Sequence, residues 1–112
     1  MPTHAELSAK LLVDAATFFK TLGEQNEPLK EQMDENADVF EQLATLMTQD
    51  PQMDVNGTPV NEMAGRLLKD AAGFFRTLAE QNEPLREQMT ENATVYDQLG
   101  DLVAANPLGE MD

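Results

Sequence analysis

Apolar residues recur along this chain at spacings of three and four. Leu7, Leu11, Ala15, Phe18 and Leu22 form one run, flanked by Leu12, Ala16 and Phe19; Leu29, Met33, Ala37, Phe40, Leu43 and Met47 form a second. Such spacing puts side chains on one face of an α-helix, and no segment alternates with the period of two that a half-buried strand requires. β-Branched residues are few, so the pattern predicts helices and no sheet.

The two runs are separated by Gln25-Asn26-Glu27-Pro28. Pro28 drives Glu27 out of the α region and is favoured in a first helical turn, while Asn26 suits the left-handed conformation that ends many helices. A helical hairpin is the expected result. Leu22 and Leu29 nevertheless keep the apolar stripe in phase across the break, so one long helix kinked at Pro28 gives the same pattern.

The whole arrangement then occurs again. Sliding the chain by 56 residues aligns 11–51 with 67–107 without a gap, 26 of the 41 positions being identical, among them the EQNEPL stretches at Glu24–Leu29 and Glu80–Leu85. Self-similarity at a fixed period marks a repeat architecture. Residues 50–57 read as a polar linker with Pro and Gly at its ends, and residues 106–112 as a tail. Thr3 followed by Glu6 has the form of a capping box, and Thr58-Pro59 that of an N-cap with Pro in the first turn. The expected fold is all-α: a tandem duplication of a helical hairpin (3–51 and 58–107) forming a four-helix bundle with pseudo-twofold symmetry, in one domain over 1–112. Leu11, Phe18, Leu22, Met33 and Phe40 are expected to share one core with Leu67, Phe74, Leu78, Met89 and Tyr96. The Phe pairs at 18–19 and 74–75 read as core side chains.

Comparing the halves on a helical wheel, at about 100° per residue, sorts the polar positions. On the second helix Lys30, Asp34, Asp38, Glu41, Thr45 and Thr48 occupy one sector, and all six differ in the second half (Arg86, Thr90, Thr94, Asp97, Asp101, Ala104). That sector reads as a free, solvated face. The adjoining arc carries Glu31, Gln32, Glu35, Asn36, Val39, Gln42 and Leu46, all seven of which recur as Glu87, Gln88, Glu91, Asn92, Val95, Gln98 and Leu102, and only Gln49 at the helix end breaks the rule. On the first helix Val13, Thr17 and Lys20 change whereas Asp14 and Thr21 stay. Two adjoining faces of the second helix are therefore constrained, one by the core and one by something else: a neighbouring helix, a partner, or simply a recent duplication.

With 112 residues, 41% of them hydrophobic, the chain buries one small core. Asp and Glu number 21 against 7 Lys and Arg, a net charge of −14, which repels phosphate and disfavours nucleic acid or an anionic membrane as a direct partner. Negative charge concentrates on the second helix of each hairpin, at net −5 over residues 26–49 and net −4 over 82–105, against −1 over 5–25. Basic residues recur at Lys10/Arg66, Lys20/Arg76 and Lys30/Arg86, and in so acidic a chain they are expected in ion pairs such as Lys10 with Asp14 and Glu6. The absence of Cys removes disulfides, thiol nucleophiles and thiolate metal sites, and His4 as the lone His removes the Glu-x-x-His ligand set of bundle metal centres. Asp34, Asn36 and Asp38 imitate the start of a calcium loop, but Val39 stands where Gly is needed and Thr45 where Glu is needed. No phosphate loop and no nucleophile–base pair is present, and Glu31 with Glu35 are ordinary exposed acids at i,i+4 spacing. No stretch has the length and apolarity of a membrane span and no leader-like start is present, so a soluble, cytoplasmic protein is expected.

The sequence thus points to a non-enzymatic interaction module with no cofactor and no metal. Its expected contact residues are Glu31, Glu35, Val39, Gln42 and Leu46 with Glu87, Glu91, Val95, Gln98 and Leu102, the apolar members as anchors and the polar ones as an acidic rim. The expected partner is a basic protein or a second copy of the chain. Two alternatives stand beside this: a nucleic-acid mimic occupying a DNA- or RNA-binding site, and a purely structural, self-associating helical protein.

Overall fold

A computed structural model, which describes residues 2–110, contains helices α1 (His4–Gln25), α2 (Lys30–Gln49), α3 (Val60–Gln81) and α4 (Arg86–Ala105). Each pair is joined by one 3₁₀ turn, Glu27–Leu29 and Glu83–Leu85. α1 packs most extensively on α2 and α3 on α4; across the two hairpins α1 lies against both α3 and α4, and α2 lies against α3. The chain is all-α and bundle-like.

The local reasons are legible. Thr3 accepts from the backbone N–H of Glu6 while Glu6 accepts from that of Thr3, so the predicted capping box opens α1. At the other end Asn26 breaks the helix at φ −136°, ψ 85°, which settles the hairpin against the kinked helix. The exit is not the expected left-handed one: Asn26 instead donates its side-chain N–H back to the Leu22 carbonyl at 3.1 Å, and Asn82 does the same to Leu78 at 3.1 Å.

The expectation of no sheet needs correction. Asp54–Val55 (β1) and Thr58–Pro59 (β2) pair antiparallel around Asn56 and Gly57, whose φ angles are +52° and +86°. Positive φ at both central residues is the requirement of the tight hairpin turn that Asn-Gly favours. Thr58 is consequently a strand residue and not the helix cap expected of it; α3 starts at Val60 after Pro59, with no side-chain cap. Its first turn is satisfied from elsewhere, Val60 donating to the Met53 carbonyl at 2.8 Å. The tail does the corresponding work for α1. His4 donates its backbone N–H to Gly109 at 2.7 Å, Ala5 to Pro107 at 2.9 Å, and Thr3 bridges Glu110. Met111 and Asp112, the rest of the expected tail, lie outside the described residues.

All four helices contribute to one apolar core. Met33, Phe40, Met89 and Tyr96 are buried as expected, but the large apolar side chains that α1 and α3 bury between them are Leu12, Phe19, Leu68 and Phe75. Leu11, Phe18, Leu22, Leu67, Phe74 and Leu78 are only partly buried and pack against the core's edge. Leu29 and Leu85, in the 3₁₀ turns, are exposed. The shift has a simple cause: each first helix meets its own hairpin partner on one side and the opposite hairpin on the other, so its buried centre lies between the two stripes. Six rings interlock where the hairpins meet. Phe18 meets Phe75 at 5.4 Å and Phe74 meets Phe19 at 5.4 Å, while Phe19–Phe40 and Phe75–Tyr96 stand edge to face at 5.1 and 5.0 Å, a preferred aromatic geometry.

Candidate functional site

The changed sector of the second helix is largely solvated as expected, Lys30, Asp38, Thr45 and Thr48 being exposed, but its Asp34 and Glu41 are only partly so. Glu41 takes an ion pair from Lys20 at 2.7 Å, so it faces α1. In the second half the same two positions are Asp97 and Arg76, again paired. The shorter acid is matched by the longer base. Val13 and Thr45, which line one recess, are replaced by Lys69 and Asp101, paired at 2.5 Å. Ala9 and Ala44, in that same recess, are replaced by Gly65 and Gly100, which touch through their backbones. Three changes between the halves are thus compensated across a hairpin seam. Hydrogen bonds donated to the carboxylates of Glu41, Asp34 and Asp101 hold the ammonium groups of Lys20, Lys30 and Lys69 above the ordinary lysine value.

The expected pairing of Lys10 with Asp14 and Glu6 does not form. Glu6 spends its carboxylate on the Thr3 N–H, and among the described residues no ion pair involves Lys10 or Arg66.

The retained arc lies elsewhere, along the clefts between hairpins. Val39, Gln42 and Leu46 of α2 line a groove with Val55 of β1 and Met63, Arg66 and Leu67 of α3, a hollow of about 290 Å³ floored by Leu43. A second hollow of about 270 Å³ shares Val39 and Leu67 and continues the groove to Asn36, Asp70 and Phe74. The other cleft is smaller, about 150 Å³, and is lined by Val95, Gln98, Leu99 and Leu102 of α4 with Leu7 and Leu11 of α1. Shifting by 56 residues carries Leu7 to Met63, Leu11 to Leu67, and each α4 member to its α2 counterpart.

Within these grooves Val39 and Val95 are 51% and 50% exposed and Leu102 is 38% exposed, while Leu46 is half-buried. Gln42 and Gln98 are exposed at the rim. Glu31, Glu35, Glu87 and Glu91 are exposed too, but they lie further along their helices and line neither groove. The structure therefore brings together the apolar anchors and the glutamines, and sets the glutamates apart from them. Sequence reasoning missed the opposite wall, Met63, Leu67 and Asp70 in one cleft and Leu7 and Leu11 in the other. A signal was there: Leu11/Leu67 and Asp14/Asp70 are identical between the halves.

A larger open hollow, about 560 Å³, lies between α1 and α2 beside Lys10, Val13 and Thr45. The corresponding place in the second half holds the Gly65–Gly100 contact and the Lys69–Asp101 pair. The recess is therefore a packing difference between the halves and not a shared site.

Tyr96, where the first half has Phe40, donates to the Leu11 carbonyl at 3.0 Å, and burial, with Asp14 adding, pushes its hydroxyl well above the ordinary tyrosine value. His4 is buried and its Nδ1 donates to the Asn106 carbonyl at 2.8 Å. Among the described residues no three His, Asp or Glu side chains converge on a metal-sized site, and no helix is long and apolar enough to cross a membrane. The sequence matches no protein-family model, and neither the sequence nor the fold is significantly similar to any curated protein or solved structure.

Proposed function

We propose that the chain is a tandem duplication of a helical hairpin, folded as one domain with pseudo-twofold symmetry, and that it works as a non-enzymatic protein-interaction module. Its contact surface is the retained arc of α2 and α4 with the facing walls of α3 and α1.

Several correspondences at 56 residues support the symmetry. The Phe18–Phe75 and Phe74–Phe19 contacts have equal length. The bond from Val60 to Met53 matches that from His4 to Gly109, and the Asp54–Pro59 pairing matches the Thr3–Glu110 bridge.

The functional reading is carried by Val39 and Val95: identical in both halves, half exposed, and each in an apolar groove. Packing within a hairpin does not account for them, because each lines the cleft between the two hairpins. A non-enzymatic role is supported by the lack of Cys and by the engagement of the single His with Asn106. A chain without Cys also suits a reducing compartment such as the cytoplasm.

The test is capture of partners from the source cell on the immobilised full chain. Val39→Asp plus Leu46→Asp should abolish capture while leaving the unfolding midpoint close to wild type, and Lys30→Ala plus Asp34→Ala, on the changed sector, should leave capture intact. Capture that survives the first pair but is lost with Glu31→Ala plus Glu35→Ala would overturn the reading in favour of a nucleic-acid mimic.

A further inference from the structure

We infer that Asn56-Gly57 is a site of spontaneous covalent change, the Asn56 side chain closing on the Gly57 backbone nitrogen to give a succinimide and then an isoaspartyl linkage that frees one wall of the α2–α3 groove. The inference stands independently of the interaction-module reading. Ring closure asks three things of a chain: an asparagine that solvent reaches, a following backbone nitrogen held in no hydrogen bond, and no side chain on that following residue to shield it. All three meet at this turn. Asn56 and Gly57 are exposed, and nothing stands within 4 Å of the position that a Cβ on Gly57 would take. The bonds that tie the segment join Met53 to Asp50 and Val60 to Met53, and the strand partners are Asp54 with Pro59 and Val55 with Thr58. Gly57 takes part in none of them. The other six asparagines are each followed by Glu, Ala or Pro, and proline has no N–H to offer.

The chemistry needs only water. The Gly57 nitrogen attacks Cγ of Asn56; a C–N bond forms, the Cγ–Nδ2 bond breaks, and the side-chain nitrogen leaves as ammonia, carrying the proton that the Gly57 nitrogen gives up. Water then opens the ring. Opening at Cγ gives an ordinary aspartate, which before Gly57 still suits a turn with positive φ at both central residues. Opening at the main-chain carbonyl gives isoaspartate, whose main chain runs through the former side-chain carbon and is one atom longer. A two-residue turn that fixes the register of its strands does not absorb that atom. Two contacts are then released: Val55 as a lining residue of the α2–α3 groove, and the Met53 carbonyl as acceptor of the Val60 N–H at 2.8 Å.

The test ages the full chain for days in mildly alkaline buffer and follows each asparagine by peptide mass mapping. The Asn56 peptide should exchange the mass of an amino group for that of a hydroxyl on the order of tenfold faster than any other, since only glycine leaves the attacked nitrogen unshielded. Part of the product should resist cleavage by an aspartate-specific protease, as isoaspartate does. Aged chain should unfold at a lower midpoint than fresh chain, with shifted amide signals at Val55 and Met63. Asn56→Asp, unaged, should keep the fresh midpoint, and Asn56→Gln should show neither mass change nor midpoint change on ageing. Conversion first at another asparagine, or no conversion at Asn56 in the folded chain whether or not urea restores it, would overturn the inference. So would an isoaspartate-bearing chain whose midpoint and Val55 signal match those of the fresh protein.

Discussion

Gly65 and Gly100 meet across the α3–α4 seam so closely that a Cβ on Gly65 would lie 2.6 Å from the Gly100 carbonyl oxygen, and one on Gly100 would lie 2.9 Å from that of Gly65. In the first half the same positions are Ala9 and Ala44. The two halves share a hairpin plan but differ in how closely its helices approach, and each seam carries the residues its own spacing permits.

Gly65→Ala should therefore destabilise the chain by about 1–3 kcal/mol, because the backbone it would strike cannot move without parting the helices. Gly73→Ala is the control. Nothing stands within 4 Å of its added Cβ, so the usual helix-propensity gain of about 0.5–1 kcal/mol should appear as a rise in the unfolding midpoint. Equal effects of the two substitutions would mean that the seam is not close-packed at Gly65.

The ring cluster tests the symmetry quantitatively. Phe19→Ala and Phe75→Ala, both fully buried, should each cost about 3–5 kcal/mol. Phe18→Ala and Phe74→Ala, at the core's edge, should cost less. Within each pair the denaturant-derived losses should agree to about 1 kcal/mol. A neutral Phe74→Ala beside a severe Phe18→Ala would contradict the pseudo-twofold reading.

Tyr96 predicts a pH effect. Its folded-state value is raised above the ordinary 10.0 by burial, so the neutral hydroxyl is the form the fold holds. The contribution is fully present below about pH 10 and is lost as pH rises above it, because the unfolded chain ionises first. Lys20, Lys30 and Lys69, also raised, lose their pairs in the same alkaline range, so the measurement is the difference from Tyr96→Phe. That variant should lose about 0.5–1.5 kcal/mol at neutral pH with the Leu11 hydrogen bond. Its stability should then fall less steeply than wild type above pH 10.

Much of the fold was readable because two signals agree: spacing of three and four, and the 56-residue match. What escaped had physical causes. The stripe points to Leu11 and Phe18 as core centre, because periodicity locates a stripe but not which of two neighbours covers it. The β1–β2 hairpin was written in Asn56-Gly57, a two-residue signal that the surrounding polar stretch obscured. At the candidate site, Val39, Gln42 and Leu46 were legible from the comparison of halves. Met63, Leu67 and Asp70 were not grouped with them, because which helix faces α2 is a tertiary fact. The pairing at the edge of the changed sector is not legible for the same reason, since Lys20 and Glu41 meet only once α1 and α2 are side by side.

The most direct test of the central claim is amide chemical-shift mapping of the full chain with a captured partner. The account predicts perturbations along 36–46 and 63–70, with weaker ones along 92–102 and 7–14, and little change at Lys30, Asp34, Asp38 and Thr48. Perturbations centred on those four residues, or on the α1–α2 recess beside Lys10 and Val13, would contradict it.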